Sequence, residues 1–338
     1  MSKFSLEHLN KYVFPHFVCD DPDVILGSVF GEDVALTKVG DDVLVSHLDP
    51  IVGAVNDIGW LAVHVACNDI ATSGAPPRWI QLLVLVPSEN DLELLEKIMK
   101  DVERGAKGVG VSIIGGHTGY SSALSRPLVA VTALGTLNGR KPVLTSGAHV
   151  DDHVLISKGI ALEGTAILAS DFSQTAQKLG LTEGDIGDAK SLMRHVSVVP
   201  EAVLLGECGA SAMHDVTRGG LLETLLEISL LSDVGMQIQF DKIPVHEVVV
   251  RFSRAFQFDP LKMISSGTLV ATINPSHLDA AIRCLDENNI PFADIGEVTP
   301  GDGVTIQRGD EVIKYQEIHA EEDELARMWQ EYQVNNGE

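Results

Sequence analysis

The sequence predicts a protein of two α/β domains, and three observations lead to this fold class. The chain has 338 residues, more than the roughly 100–200 residues typical of a single domain. Strand-like apolar runs alternate with helical runs along most of the chain, which is the pattern of an α/β protein. Glycine is frequent, with 31 residues, and aromatic residues make up only 5%, so many tight turns are expected.

The N-terminal half is predicted to start its sheet with a hairpin and to continue with alternating helices and strands. The hairpin turns at Gly40-Asp41-Asp42. The first long helix ends at Gly74 and is followed by Pro76 and Pro77, which cannot continue it. The predicted strands are Val34–Val39, Val43–Leu48, Trp79–Val86, Val111–Ile114 and Leu128–Leu137, and the helices are Asp57–Ser73 and Asn90–Gly108.

A turn-rich stretch without periodicity, Asn138–Asp152, marks the predicted domain boundary. We therefore predict an N-terminal domain over residues 1–145 and a C-terminal α+β domain over residues 146–338. A hairpin is expected before the last helix of the second domain. The predicted strands there are His153–Ser157, Ser211–Asp215, Met236–Phe240, Thr268–Ile273 and Phe292–Val298, and the helices are Gly164–Ser170, the region of residues 184–207, Leu221–Leu231, Val245–Phe256, Pro275–Asn289 and about Ala320–Gln333.

The charge balance is strongly acidic, with 48 Asp and Glu against 24 Lys and Arg and a formal net charge of −24. Such a surface repels nucleic acid and anionic membranes, so binding to either is not expected. No apolar run reaches the length of a membrane span, and the N-terminus resembles an amphipathic helix rather than a signal peptide. These features predict a cytoplasmic protein. The cysteines lack the spacing of a zinc site or a disulfide framework; they are Cys19, Cys67, Cys208 and Cys284.

Two aspartates are expected at the same end of the predicted hairpin. Asp33 lies in Gly31–Ala35, directly before the first strand, and Asp49 follows the second strand and precedes Pro50. Each aspartate alone can be a turn residue. Together they offer the oxygen donors that hard cations prefer, and two neighbouring carboxylates raise each other's pKa unless a cation lies between them.

The third aspartate lies inside the predicted helix Asp57–Ser73, which is apolar nearly all round and is therefore expected to be buried. Asn68 and Asp69 lie about one turn before its end. A buried charged aspartate requires a partner or a metal ion, so Asp69 is predicted to be a metal ligand. The alternative is a hydrogen bond from this pair to a neighbouring loop. His64, one turn before Asn68, is interpreted as a core histidine.

A glycine pair follows the predicted buried strand Val111–Ile114. Gly115 and Gly116 are followed by His117 and Thr118. Glycines let backbone N–H groups approach an anion closely, and the Thr118 hydroxyl adds a further donor. These four residues are therefore candidates for binding phosphate, and a plain tight turn is the alternative.

A second glycine turn follows the predicted strand Ser211–Asp215. Asp215 ends the strand, and Arg218 precedes Gly219-Gly220 and the helix Leu221–Leu231. Helix N-termini attract phosphate groups, and Arg218 supplies a positive charge for an anionic substrate. Asp215 is thus a candidate metal ligand or general base, whereas a structural salt bridge between Asp215 and Arg218 is the alternative.

Three common motifs are absent from the sequence: the P-loop GxxxxGK[ST], a GxGxxG after the first strand, and GxSxG. The motifs that are present resemble the superfamily of aminoimidazole ribonucleotide (AIR) synthase, the hydrogenase maturation factor HypE, thiamine-monophosphate kinase and selenophosphate synthetase. The matching segments, in family order, are Gly31–Ala35, Asp49, Asp57–Ala62, Asn68–Pro77, Gly115–Thr118, Ala133–Gly135, Ser146–Ala148, His214–Gly220, Ser265–Leu269 and Ile295–Val298. The chain resembles the HypE-like proteins called AIR synthase-related most closely.

This resemblance implies a PurM-like fold with two domains. The N-terminal mixed sheets of two copies would pair into a barrel-like homodimer, and the C-terminal α+β domain would cover a cleft that binds ATP. The resemblance also implies that Mg²⁺ bridges the ATP phosphates and is held by Asp33, Asp49 and Asp69.

The resemblance further implies which residues meet the nucleotide and the substrate. Asn68 and Gly115–Thr118 would contact phosphate oxygens, and Asp215 would face the γ-phosphate from the second domain. The implied catalytic residues are Asp215, Arg218 and His117. Positioning and charge neutralisation dominate phosphoryl transfer, which explains why aspartates and Mg²⁺ outnumber nucleophiles in the implied site.

The chemistry implied by the resemblance is ATP-driven activation of an oxygen on an amide-like group or a phosphate. HypE carries a cysteine at its C-terminus, whereas the last cysteine of this sequence is Cys284, so the substrate stays open. A nucleotide-binding scaffold that acts with a partner protein is the alternative to an enzyme. A purely structural dimer with solvated aspartates is the third interpretation.

Overall fold

The computed structural model describes residues 4, 6–52, 56–317 and 324–332, and these residues form two β-sheets packed against helices. The strands of the six-stranded sheet are β1 (Val24–Leu26), β2 (Ala35–Val39), β3 (Asp42–Ile51), β4 (Pro77–Val86), β5 (Ser112–Tyr120) and β6 (Leu128–Thr136), and the helices of this half are α1 (Leu6–Tyr12), α2 (Ile58–Thr72) and α3 (Leu92–Val109). The strand order is β1-β2-β3-β6-β4-β5, and β4 and β5 run parallel while the other pairs run antiparallel. The sheet is therefore mixed, as expected.

The second half of the chain folds around a seven-stranded sheet. Its strands are β7 (His153–Ser157), β8 (Ala210–Asp215), β9 (Gly235–Gln239), β10 (Leu269–Ile273), β11 (Phe292–Thr299), β12 (Gly303–Arg308) and β13 (Glu311–Tyr315). Its helices are α4 (Leu162–Asp171), α5 (Ser173–Lys178), α6 (Glu183–Ser191), α7 (Val199–Cys208), α8 (Gly220–Ser232), α9 (Glu247–Phe256), α10 (Pro275–Glu287) and α11 (Glu324–Glu331). The order is β13-β12-β9-β11-β7-β10-β8, with β9 and β12 parallel and the other pairs antiparallel. This arrangement is the α+β domain that the sequence predicts.

Helix α2 lies at the centre of the N-terminal domain. Every residue of α2 except Trp60 is buried, because the helix packs against α3, β3 and β6 and also meets α7 and β8 of the second domain. A helix that faces protein on all sides has to be apolar on all sides. The predicted burial of this helix is confirmed, so Asn68 and Asp69 are held inside the fold.

The prediction of a buried strand that ends at a Gly115-Gly116 turn is wrong. Strand β5 continues through both glycines to Tyr120, and it lies exposed at the edge of the sheet. A Cβ at Gly116 would collide with the carbonyl oxygen of Leu82 on β4. The glycine therefore permits close pairing of two parallel strands, whereas the prediction was that it permits close approach of the backbone to an anion, with a tight turn as the alternative.

The N-terminal sheet is open within the described chain, because its outer strands β1 and β5 do not pair with each other. One chain therefore does not close a barrel, and the barrel implied by the resemblance would need a second copy. The two sheets use residues 24–136 and 153–315, on either side of the predicted boundary at residues 145 and 146.

The terminal helix is α11, and residues 320–323 and 333 of the predicted span lie outside the described residues. Met328 is buried, and Trp329 meets Phe172 edge-on with ring centroids 5.0 Å apart. The helix thereby packs on the apolar cluster formed by α4 and α9. Among the helices described, none has both the length and the apolar character needed to span a membrane.

The side chain of Asn68, in the N-terminal domain, forms hydrogen bonds with the backbone of the C-terminal domain. Its Nδ2 donates to the carbonyl oxygen of Val196 at 2.8 Å, and its Oδ1 accepts from the backbone N–H of Val198 at 2.8 Å. The side chain is fully buried. A second link joins the segment before β2 to the boundary between the domains. The Glu32 carboxylate accepts hydrogen bonds from the backbone N–H groups of Thr145 and Ser146 at 3.0 and 3.1 Å. These contacts fix the orientation of the domains that form the site.

We expect Asn68→Ala to lower the free energy of unfolding by about 2–4 kcal/mol, because it leaves buried backbone groups of Val196 and Val198 without partners. Urea denaturation followed by circular dichroism measures the change. The exposed Asn90 is the control, and Asn90→Ala should change stability by less than about 0.5 kcal/mol. Equal stability of the two variants would contradict the role of Asn68 as a link between domains.

Candidate functional site

The candidate site is a group of buried and half-buried carboxylates and histidines where the two domains meet. The N-terminal domain contributes the open end of the β2–β3 hairpin and one side of α2. The C-terminal domain contributes the end of β8 and the start of α4. Carboxylates at such a junction lose their hydration, so each requires a positive partner or a hydrogen-bond donor.

On the N-terminal side, His47 connects two of the predicted aspartates. Its Nε2 lies 3.3 Å from Oδ2 of Asp69, and its Nδ1 hydrogen-bonds to the backbone carbonyl of Asp33. Asp49 lies two positions further along β3, so its side chain points to the same face of the sheet as that of His47. The hairpin register, in which Ala35 pairs with Ser46, brings Asp33 and Asp49 to one end as predicted.

On the C-terminal side, His214 lies among three acidic residues. Its Nε2 is 3.3 Å from Oδ1 of Asp33 and 3.1 Å from Oε2 of Glu227, and its Nδ1 is 2.7 Å from the backbone carbonyl oxygen of Asp215. Burial alone lowers the pKa of His214, but the carboxylates of Asp33 and Glu227 outweigh burial and raise it to about 10. This histidine therefore joins Asp33, from the first domain, to β8 and α8 of the second.

Asp215 is the most isolated carboxylate of the site. It is fully buried, and neither of its carboxylate oxygens has a hydrogen-bond partner. Burial and the charge of Asp33 raise its pKa to about 8. Burial also raises the pKa of Asp33, whose Oδ2 likewise has no hydrogen-bond partner. Both carboxyl groups have oxygens without hydrogen-bond partners, and a bound divalent cation would favour their ionised forms, so the residues present fit the magnesium that the resemblance implies.

The helix after β8 begins at the predicted glycine turn. Gly219 and Gly220 both have left-handed backbone, with φ of 74° and 66°. At Gly220 a Cβ would lie 2.5 Å from the carbonyl oxygen of Leu261, so only glycine fits there. The turn places Arg218 close to Glu163, where the arginine lowers the pKa of that carboxylate.

Glu163 is a site residue that the sequence did not reveal. It lies in the first turn of α4, is buried, and its Oε2 accepts from the backbone N–H of Ser266 at 3.1 Å. Burial raises its pKa to about 6, with Asp49 acting in the same direction and Arg218 in the opposite one. In sequence, Glu163 is one acidic residue at the start of an ordinary helix, which is a favourable position in any protein. Only the fold shows that it faces the aspartates.

The phosphate-binding candidates do not join this group within one chain. Gly115, Gly116, His117 and Thr118 lie on β5, and β6 and β4 separate that strand from β3. Asn68 is close to the site, but its amide is engaged by the backbone of residues 196 and 198. This finding favours the alternative of a hydrogen bond to a neighbouring loop.

His64 fits its interpretation as a core histidine. It is 4% exposed, and its ring lies 4.2 Å from that of Trp60, measured between centroids. Burial, together with the charges of Arg104 and Lys158, lowers the pKa of His64 to about 4. The imidazole is therefore neutral near pH 7 and packs as part of the core.

Fold and site together define a two-domain protein that gathers aspartates between an N-terminal mixed sheet and a C-terminal α+β domain. The N-terminal domain of the AIR synthase related proteins matches residues 31–137, and their C-terminal domain matches residues 149–309. These matches span most of the chain. The protein belongs to the AIR synthase-related family.

Curated relatives are similar over two thirds to three quarters of the chain. A putative hydrogenase expression/formation protein of Methanocaldococcus jannaschii is 29% identical over 266 residues, 76% of this chain and 76% of that protein. The carbamoyl dehydratase HypE of Bradyrhizobium diazoefficiens is 29% identical over 267 residues, 77% of this chain and 74% of that protein. The carbamoyl dehydratase HypE of Azotobacter vinelandii is 32% identical over 235 residues, 67% of this chain and 64% of that protein.

Solved structures share the fold at lower identity. Hydrogenase maturation protein HypE in complex with ATP has a TM-score of 0.70 and 23% identity, over 93% of this chain and 94% of that chain. AaThiL complexed with AMPPCP and TMP has a TM-score of 0.67 and 17% identity, over 86% and 92%. The HypE–HypF complex has a TM-score of 0.68 and 24% identity, over 85% and 93%. At these identities the likeness is one of fold.

We expect Glu163→Gln to stabilise the protein without metal or nucleotide at pH 7 but not near pH 4. The pKa of Glu163 rises from 4.5 to about 6 on folding. Between these values the unfolded chain loses the proton while the folded chain keeps it, so stability falls as the pH rises and stays reduced above about pH 6. The neutral amide removes this loss, which amounts to about 2 kcal/mol.

Guanidinium denaturation at a series of pH values measures the effect. Glu89 is exposed, and Glu89→Gln is the control that should leave stability unchanged at every pH. A stability difference between Glu163→Gln and the wild type that is the same at pH 4 and pH 7 would show that Glu163 is not a buried ionisable group.

Proposed function

We propose that this protein is an ATP- and Mg²⁺-dependent enzyme that activates an amide-like or phosphate oxygen of its substrate by phosphoryl transfer. The observation that carries the proposal is the convergence of Asp33, Asp69 and Asp215 from both domains, with carboxylate oxygens that have no hydrogen-bond partner on Asp33 and Asp215. Buried oxygens of this kind favour a bound cation, and phosphoryl transfer depends chiefly on cations and positioning.

The roles follow from position in the site. Asp33, Asp49 and Asp69 hold Mg²⁺, which when bound neutralises the phosphate oxygens of ATP. Asp215 faces the transferred phosphoryl group from the second domain. Arg218, next to Glu163, neutralises an anionic part of the substrate. Asp69, Glu163 and Asp215 are buried, and the exclusion of water around them strengthens their electrostatic interactions.

The comparisons support this proposal at the level of the family. One relative with this fold is a HypE in complex with ATP, and another is a ThiL complexed with AMPPCP and TMP. Two relatives in sequence are carbamoyl dehydratases. A carbamoyl group is an amide-like acceptor, so it is the first substrate class to test.

The homodimer belongs to the same proposal. Strand β5 is an edge strand of nine residues, and it exposes Ile113, Ile114 and Tyr120. Pairing of β5 with a second copy would cover this apolar edge. It would also bring Gly115–Thr118, which lie far along the sheet from the aspartates of their own chain, to the site of the partner.

A scaffold that acts with a partner protein is the second candidate. The structure of a HypE–HypF complex, in which a protein of this fold is held by another protein, favours it. Turnover of ATP with a carbamoyl-bearing small molecule by the purified protein alone would rule out the scaffold. ATP binding without turnover until a partner is added would support it.

We expect Asp69→Asn to weaken the binding of ATP in the presence of Mg²⁺ by at least about tenfold, because the change removes a negative charge and an oxygen ligand from the site. Isothermal titration calorimetry measures the Kd. The control variant is Asp57→Asn at the start of the same helix, because Asp57 forms an ion pair with Arg104 at 2.5 Å. If wild type and both variants all fail to bind ATP with Mg²⁺, the proposed function is wrong.

We expect Ile113→Asp to shift the protein from dimer to monomer and to weaken ATP binding, because a charge on β5 opposes its pairing with a second copy. Sedimentation velocity reports the oligomeric state. Val312 is 62% exposed on β13, the edge strand of the other sheet, and Val312→Asp is the matched control. A wild-type protein that sediments as a monomer, or an Ile113→Asp dimer, would contradict the proposal.

A further inference from the structure

We propose that Cys208 and Cys284 form a reversible disulfide bond that links α7 to α10 in the second domain. Sequence alone does not reveal this pair, because the two cysteines are far apart along the chain and follow no disulfide spacing. The pair lies outside the carboxylate site. The inference therefore stands independently of nucleotide and cation binding.

The fold brings the two thiols into contact. Cys208 is the last residue of α7, Cys284 lies in α10, and the two helices pack against each other. The Sγ atom of Cys208 lies 4.0 Å from the carbonyl oxygen of Ala280, one turn before Cys284. The Cys208 thiol also forms a hydrogen bond with the thiol of Cys284. Sulfur atoms that already meet need only a short movement to reach the disulfide bond length of about 2.0 Å.

The surroundings of the pair set how it reacts. Both cysteines are half-buried, whereas Cys67 is fully buried, so a small disulfide in solution can reach the pair. Burial, together with the thiol of Cys284, raises the pKa of Cys208 to about 11, and Cys208 therefore stays protonated near pH 7. Because only a thiolate attacks a disulfide, the first attack is assigned to Cys284, and the bond forms faster as the pH rises.

The oxidant in this reaction is a low-molecular-weight disulfide, RSSR. The Cys284 thiolate attacks one sulfur of RSSR, which forms a mixed disulfide and releases one RS⁻. Cys208 then loses its proton and attacks the sulfur of Cys284, which closes the protein disulfide and releases the second RS⁻. Two protein thiols are oxidised, one RSSR is reduced, and the two protons end on two RSH. An excess of RSH reverses the reaction.

The position of the bond connects it to the domain junction, because the last three residues of α7 contact different parts of the fold. Gly206 packs so closely on the segment after α2 that a Cβ on it would lie 2.8 Å from the Cα of Gly74. Glu207 forms an ion pair with Arg140 at 2.6 Å, and Cys208 meets α10. The disulfide therefore fixes a helix end that touches both domains.

The competing interpretation is that the two thiols pack as ordinary apolar side chains. Cys208 lies against the apolar cluster that α7 and α10 share, as this interpretation requires. It predicts that both thiols remain reduced in the folded protein when a small disulfide is added.

Peptide mapping by mass spectrometry distinguishes the two interpretations in the full chain. The folded protein is incubated with oxidised glutathione, the remaining thiols are blocked, and the protein is digested. We expect a peptide that joins Cys208 to Cys284, forms faster at pH 9 than at pH 7, and is lost on addition of excess reduced glutathione. Modification of the exposed Cys19 without this peptide, or a peptide that forms only in denaturant, would overturn the proposal.

Hydrogen–deuterium exchange tests the effect of the bond on α7. Oxidation should slow the exchange of the amides in Val199–Cys208 by at least about tenfold, and Cys284→Ser should show no change under the same treatment. Cys19→Ser is the matched control and should form the bond as the wild type does. Unchanged exchange in the oxidised wild type, or equal slowing in Cys284→Ser, would contradict the proposed link. The wild-type peptide map decides whether the bond forms even if Cys284→Ser does not fold.

Discussion

The burial of several carboxylates at one junction is the constraint on which the rest of this structure depends. Asp69 arrives on a helix from the first domain, Asp33 comes from the end of its hairpin, and Asp215 comes from the end of β8 in the second. Neither domain alone surrounds these groups. Because buried charges tolerate little displacement, the relative position of the domains has to be fixed. The hydrogen bonds of Asn68 and the acceptor role of Glu32 provide that fixation close to the site.

Sequence reasoning located the aspartates because each of them has a strong local signal. Asp33 and Asp215 lie where strands meet glycine turns, and Asp69 interrupts a helix that is otherwise apolar. Such positions are visible along the chain without knowledge of the fold. The architecture of two domains, the hairpin register and the burial of α2 follow from the same kind of pattern.

The errors and omissions have a common physical origin, which is that they concern pairing between distant segments. Gly115 and Gly116 look like a turn in sequence, and only the neighbouring strand β4 shows that they serve close pairing. His214 and Glu163 have ordinary local surroundings, so their importance comes from Asp33 and Asp49, which are more than a hundred residues away. The amide of Asn68 was expected to meet phosphate, but residues 196 and 198 engage it.

Strand β5 has a further consequence for how the protein folds in the cell. Its nine residues include no Lys, Glu or Pro, the residues with which proteins commonly shield an open sheet edge. Until another strand covers it, this edge can template pairing with any extended chain, including partly folded copies of the same protein. Newly made chains are therefore exposed to aggregation for as long as this edge is uncovered. If a second copy covers the edge, as proposed above, that interval shortens as the concentration of folded copies rises.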